Sequence, residues 1–524
     1  MSAHRGPQDR PILLVTGASG FMGRHLLDAL KDEYRIIGLA RRSQQRSGAP
    51  VHPNIRWYQA DIGDRRMLSH VFRDIAGHGG AHVCIHLAAH YDFTGDDHPE
   101  YERTNVQGTR HVLEECRALG TIRHFVFSSS VAACRFPPLG GTLNEHSAPD
   151  GEHIYARTKR EGERMLGEFS ASFHSVIVRF AAAFSDWCEY PPLFVFISTW
   201  LGSAWNRRML GGRGESAIPY VHVQEIPPFF RALLHRVGEL QQGQVLICGA
   251  DRAVNHRELY DSVTEHFTGR RGRPFHMPKA MCGPGMHVMD LVGQLLGERP
   301  FERPWMAQYI DEVLAIDSTE TRRLLHWGTR PRLEILRRMP FLMENLKVDP
   351  LEWQRRNRAA MKHVRVRSNL RIHQLLEKHE AAIAEAYNGT LHAPANADRF
   401  PHYQELDDET SSWNHRMVLR NLMNAVRTRE RAVFMGYCHD IAEARHAQGF
   451  TCEELCGALE TLSDICTRTL LEDPEADGLQ DRIFEHVTMT LRIGVDQVQQ
   501  VFDDLEAARE RTAEEDAAAD ARGA

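Results

Sequence analysis

The chain has 524 residues, of which 25% are charged and 42% hydrophobic, and its formal net charge is −7. That length exceeds what one hydrophobic core supports, so two or more domains are expected. The acidic balance lacks the basic footprint of a nucleic-acid binder, and no apolar run reaches the ~18–20 residues that span a bilayer.

Residues 1–9 read as a flexible tail without an apolar signal core. Pro11 to Gly23, PILLVTGASGFMG, then sets the organisation of everything downstream. Ile12 to Val15 is a branched, apolar run that reads as a buried strand. Gly17, Gly20 and Gly23 follow, and then a helical pattern. Strand, glycine turn and helix in this order suit a dinucleotide pyrophosphate. Gly17 makes the tight turn, Gly20 admits the phosphates, Gly23 lets the helix sit on the sheet, and the helix N-terminus faces the anion. Ser19, Phe21 and Met22 lie within the same turn.

A second strand, Tyr34 to Ala40, ends in Arg41-Arg42. An arginine at this strand end suits the 2′-phosphate of NADP, where an acidic residue would favour NAD. Ile55 to Gln59 is a third strand leading to Asp61-Ile62, and residues 67 to 76 read as a helix. Val83 to Ala89 forms a fourth strand and its turn, with Leu87, Ala88 and Ala89 beside the cofactor path. Phe125 to Ser130 is a buried strand ending in three hydroxyls. Strands alternating with helices argue for a parallel, doubly wound sheet, with ligands beyond the carboxyl ends of its strands.

Tyr155 and Lys159 stand four apart on the next helix and share a face. A free tyrosine titrates near ~10, and an adjacent ammonium is expected to lower that value. Tyr155 could then exchange a proton with a substrate oxygen during hydride transfer.

The glycine turn TGASGFMG, the LAA turn, Asn105-Val106-Gln107-Gly108-Thr109, the strand ending in SSS and Tyr155-Ala156-Arg157-Thr158-Lys159 occur in one order. In that order they resemble the extended short-chain dehydrogenase/reductases, the NAD-dependent epimerase/dehydratase type. The resemblance extends through Tyr220-Val221-His222-Val223 and Asp317 to Trp327, and so covers roughly residues 10–345. It implies a Rossmann-type domain plus a small substrate subdomain from about residue 180. It makes Ser130, Tyr155 and Lys159 the catalytic group, with Ser130 bonding the reacting carbonyl and Lys159 also holding the nicotinamide ribose. It adds Asp61 at the adenine, and Ser128 and Phe180 beside the cofactor.

Departures narrow the reaction. Val131-Ala132-Ala133 replaces the acidic pair of the sugar-nucleotide dehydratases. Arg179 to Asp186 lacks the Asn and Tyr-Gly common among sugar-nucleotide enzymes. Phe180, Phe184, Trp187, Tyr190, Phe194 and Phe196 make this stretch aromatic. The expected function is NADP-dependent (or NAD-dependent) oxidation or reduction of a carbonyl/alcohol on a fairly apolar small molecule. Two alternatives remain open: a nucleotide-sugar epimerase with tightly held NAD, and a dinucleotide sensor or scaffold. Met281 to Gly297 is apolar but interrupted by Asp290. It reads as a lid or core helix, compatible with peripheral membrane contact.

Residues 346–368 read as a basic helical linker with a solvated face. Residues 369–508 show helical periodicity throughout and read as an all-α bundle of four or five helices, with Thr451 to Glu454 as a capping box. In pattern alone they are faintly similar to regulatory domains of bacterial stress-signalling proteins, and a dimerising or regulatory role is expected. His439, Glu443 and His446 share a helical face and Cys452 and Cys456 are four apart, but no matching motif stands on another helix, so no metal is expected. Residues 509–524, acidic and alanine-rich, read as disordered. The ten cysteines form no CxxC pair, which suits reduced thiols in a cytoplasmic homo-oligomer.

Overall fold

The computed structural model describes residues 10–93, 95–202, 205–295, 300–361, 368–406, 408–476 and 479–523. The expected N-terminal tail and three of the linker cations, Lys362, Arg365 and Arg367, lie outside these. The chain divides into two compact units, the first holding Met1–Ala40 and Gln44–Val366 and the second Arg41–Ser43 and Arg367–Ala524.

The first unit is built on twelve strands. They are β1 Ile12–Thr16, β2 Arg35–Ala40, β3 Ile55–Gln59, β4 Val83–His86, β5 His124–Ser130, β6 His174–Phe180, β7 Ala182–Phe184, β8 Met209–Gly211, β9 Ala217–His222, β10 Gln244–Cys248, β11 Ala253–Asn255 and β12 Phe275–Met277. Seven of them form the main sheet in the order β10-β6-β5-β4-β1-β2-β3. Every pairing in it is parallel, as with Thr16 opposite both Leu39 and His86. Strands such as β1 are buried on both faces, which is why they read as unbroken apolar runs rather than alternating ones. The direction of winding reverses between β1 and β4, and a crevice opens there at the strand ends.

Helices cover both faces. The Phe21–Leu30 helix buries Gly23, Leu26, Leu27 and Leu30. On the other face, the Arg65–Gly77 helix starts where Asp64 accepts from the backbone N–H groups of Arg66 and Met67. Beyond β6 a smaller three-stranded sheet, β11-β9-β7, and the pair β12-β8 carry the substrate subdomain. Its core includes Phe184, Leu193, Trp200, Tyr260 and Met339.

The segment read as a helical linker also packs one of its faces. Pro350–Met361 is a helix, its Trp353 is 2% exposed within the subdomain core, and Asn357 donates to the Trp187 carbonyl at 2.7 Å. One indole on a basic helix anchors it, a signal that charge counting overlooks.

The second unit is all helical around one hydrophobic core. Its helices include Ser368–Lys378, Glu380–Leu391, Asp408–Thr428, Ala432–Ala447, Cys452–Leu471 and Met489–Gly523. The helical pattern is interrupted at two points. The chain breaks at His379, between Ser368–Lys378 and Glu380–Leu391, and turns at Arg429, whose φ is 56°, between Asp408–Thr428 and Ala432–Ala447. The capping box of Thr451 and Glu454 is formed. The backbone stays helical to Gly523 where disorder was expected. Alanine and glutamate are strong helix formers, so a composition that cannot build a core can still extend a helix. Among the described residues, no three His, Cys, Asp or Glu side chains are grouped to hold a metal ion, and no helix is long and apolar enough to cross a membrane.

Candidate active site

The glycine turn sits at the crevice beyond β1. Gly17 has φ +69°, and a Cβ there would stand 2.7 Å from the Ala88 nitrogen. The close approach of two backbones and the left-handed conformation together require glycine. A Cβ on Gly23 would stand 2.5 Å from the Gly17 oxygen, so the helix starts flush against the turn. Thr16 ties this turn to β4. Its hydroxyl accepts from the Ala88 N–H at 3.3 Å and lies 2.8 Å from His86 Nδ1. His86 Nε2 lies 3.1 Å from the Thr109 hydroxyl, and burial pushes its pKa down to about 3. His86 is therefore a neutral strut joining β1, β4 and the next helix.

Ser130 ends β5 and its hydroxyl accepts from the Ala132 N–H at 3.1 Å. The Ile154–Glu168 helix presents Tyr155 and Lys159. It is capped by His153, whose Nδ1 accepts from the Ala156 N–H at 3.3 Å while Nε2 lies 3.1 Å from the Ala132 carbonyl. An accepting Nδ1 leaves Nε2 carrying the proton, so His153 donates to that carbonyl. Lys159 Nζ donates to the Ser128 carbonyl at 2.6 Å and stands 5.7 Å from the centre of the Tyr155 ring.

Burial lowers the Lys159 pKa to about 8, opposed by the Glu163 carboxylate one turn on. Glu163 pairs with Arg179 at 2.8 Å, the two side chains 6% and 3% exposed, and accepts from Ser129 at 2.5 Å. Burial raises the Tyr155 pKa well above that of a free phenol. This reverses the lowering expected from the Tyr–Lys spacing. Tyr155 stacks on Tyr91 at 4.2 Å between ring centres, and desolvation of the buried phenolate is what raises its pKa.

A cavity of about 1130 Å³ runs along this edge, and its wall joins the turn (Gly17, Gly20, Phe21, Met22, Gly23) and Leu87 to Ser128, Ser130, Tyr155 and Phe180. The other sequence-selected residues stand off its wall. Lys159 is behind Tyr155. Ser19 and Ile62 are buried, Ala88 is half-buried and Ala89 is exposed. Asp61 is 2% exposed and accepts from the Gly63 N–H at 3.0 Å. Arg41 and Arg42 follow β2 and are half-buried.

Of the aromatic stretch, Phe180, Tyr190 and Phe196 line the cavity, while Phe184 is core. Sequence reasoning missed Tyr91, two residues after the LAA turn, and Met277, Trp305 and Met306, which converge on the far wall with Met281 and Met286 of the segment read as a lid or core helix. It also missed what Asn105 does. Asn105 bonds both backbone groups of His90, at 2.6 and 2.9 Å, and donates to the Thr158 hydroxyl at 3.1 Å. It thereby fixes the loop carrying Tyr91 to the helix carrying Tyr155.

A nicotinamide dinucleotide fits the turn. The positions where a Cβ would intrude are glycine, and the turn's backbone forms cavity wall beside Ser130 and Tyr155. Residues 13–249 match the model of the NAD dependent epimerase/dehydratase family. A UDP-glucose 4-epimerase of Streptococcus mutans is 31% identical over 335 residues, 60% of this chain and 91% of that protein. A ceramide reductase of Caulobacter vibrioides is 33% identical over 160 residues, 29% of this chain and 41% of that protein, so the match spans less than half of that relative. Among solved structures, a dTDP-glucose 4,6-dehydratase of Bacillus anthracis in complex with NAD superposes with a TM-score of 0.50 at 16% identity, covering 66% of this chain and 99% of that one. With a relative of that identity matched over nine-tenths of its length, the chain belongs to the NAD-dependent epimerase/dehydratase family.

Proposed function

We propose that the protein is an NAD(P)-dependent oxidoreductase acting on a carbonyl or alcohol of a large, apolar substrate. The observation that carries this reading is the composition of the cavity wall. Among the described residues that line it there is no arginine and no lysine, and aromatic, methionine and aliphatic side chains predominate. A nucleotide-sugar diphosphate needs cations or clustered donors where its phosphates lie. An apolar wall instead rewards hydrocarbon and desolvates the reacting centre.

The bound dinucleotide supplies the hydride chemistry. Ser130 donates a hydrogen bond to the reacting oxygen, Tyr155 gives or takes its proton, and Lys159 holds the ammonium that favours the phenolate as that proton leaves. Tyr91 keeps the Tyr155 ring in plane. Arg41 and Arg42 at the end of β2 favour NADPH over NADH.

The second reading, nucleotide-sugar 4-epimerisation, draws on the S. mutans relative. Both are tested by incubating the protein with NADPH or NADH and either long-chain and polycyclic ketones or UDP-hexoses. Consumption of NADPH with an apolar ketone, lost by ~10²-fold or more in Tyr155→Phe with cofactor affinity intact, is the expected outcome. Epimerisation of a UDP-hexose with no net consumption of cofactor would overturn the oxidoreductase reading, and a lower Kd for NADH would overturn the arginine assignment.

A further inference from the structure

The Lys279–Leu295 helix is built the wrong way round for a core helix. Its one acidic residue, Asp290, is turned inward and 7% exposed, paired with the equally buried Arg303 at 2.8 Å. Cys282 points inward too, at 3%. At 3.6 residues per turn, the stripe opposite Asp290 holds Met281, Val288 and Val292, with Leu291 a quarter-turn round on its flank, and the four are 61%, 61%, 46% and 59% exposed. Trp205, in the loop before β8, is 75% exposed. Burying a carboxylate while leaving four aliphatic or thioether side chains in water is costly unless something covers the stripe.

The stripe is also the rim of the cavity. Trp205, Met281 and Val288 line it as well as facing outward. The surroundings are basic on a chain that is acidic overall. Trp205 to Gly214 contains Arg207, Arg208 and Arg213, and Gly269 to Met289 contains Arg270, Arg271, Arg273 and Lys279. Arg213, Arg271 and Lys279 pair with Glu215, Glu265 and Glu312, and among the described residues the other four arginines have no carboxylate partner. Parallel pairing of β12 with β8 brings these two stretches together, and Arg208 donates to the Arg273 carbonyl.

The geometry points to an anionic lipid surface as the partner: the apolar stripe enters the acyl boundary, the arginines meet the headgroups, and the cavity mouth opens onto the bilayer. An amphipathic helix flanked by cations binds interfaces in this manner, with affinity set by buried apolar area and headgroup charge. Docking there would deliver apolar substrate without passage through water, and to that extent the inference extends the proposed function. Membrane binding itself needs no turnover and is measured separately.

The test is co-sedimentation of the full chain with vesicles of phosphatidylcholine alone or with phosphatidylglycerol at one part in three, at low and high salt. The wild type is expected to bind the anionic vesicles and to be released by salt. The double variant Leu291→Glu/Val292→Glu, two exposed positions off the cavity wall, is expected to bind about tenfold more weakly or less, with far-UV circular dichroism and NADPH affinity unchanged. Equal sedimentation of wild type and variant, no binding to either vesicle, or a wild-type dimer that the variant converts to monomer would each overturn the proposal. Failure of the apolar-ketone assay with intact vesicle binding would instead remove only the substrate reading.

Discussion

Among single residues, Lys159 has the environment with the clearest consequence. Its ammonium is buried, holds the Ser128 carbonyl, and titrates at about 8 rather than 10.5. Because the folded pKa is depressed, the unfolded chain binds more protons between these two values, so this residue makes stability rise with pH across that window. Activity has the opposite sign. The charged form that favours the Tyr155 phenolate is lost as pH rises through about 8. The expected profile of kcat/KM therefore falls above that pH, while the urea midpoint at the same pH does not fall. Lys159→Met should abolish the falling limb and reduce kcat/KM by ~10²–10⁴-fold. A wild-type profile flat to pH 10 would show that the lysine charge plays no part in the free enzyme.

Between elements, the Ile154–Glu168 helix is locked to the sheet by one carboxylate. Glu163 pairs with Arg179 on β6 and accepts from Ser129 on β5, and Arg179 also donates to the Ser147 carbonyl at 2.6 Å. Removing one partner strands the other charge out of water. Glu163→Ala is expected to lower unfolding stability by about 3–5 kcal/mol, and Glu163→Leu/Arg179→Met to recover most of it. Urea unfolding of both variants checks this, and a loss below about 1 kcal/mol for the single change would mean that water reaches the pair.

This lock also marks the limit of what the sequence discloses. The main sheet was legible because its strands are continuous apolar runs punctuated by glycine, and the Tyr–Lys pair because it is local to one helix. Glu163 and Arg179 lie 16 residues apart on different elements and meet only when the helix packs on the sheet. Tyr91, Trp305 and Met306 reach the cavity only through tertiary packing, so no local pattern announces them. The Tyr155 pKa was misjudged for a similar reason. Spacing reports which charge is near, whereas burial depends on the whole enclosure.

Over the whole molecule, the all-helical unit has a core of its own, with Phe434, Leu422, Leu462, Ile483 and Val498 among its fully buried side chains. A core of that kind supports independent folding, ~5–15 kcal/mol for a domain of this size. A fragment of residues 368–508 is expected to be helical by circular dichroism and to unfold in one cooperative step. Its tightest contact is between the Ala432–Ala447 and Met489–Gly523 helices, where Gly494 faces Phe434. A Cβ added at Gly494 would stand 2.5 Å from that ring and 2.9 Å from the Cys438 sulfur. Both neighbours are buried and have no room to retreat, so Gly494→Ala forces the helices apart at a cost of about 1–3 kcal/mol. Relieving the crowding with Phe434→Leu in the same fragment should restore part of the loss, because the two changes share one space and are not additive. Strict additivity of the two variants in thermal unfolding would show that the helices do not meet at this glycine.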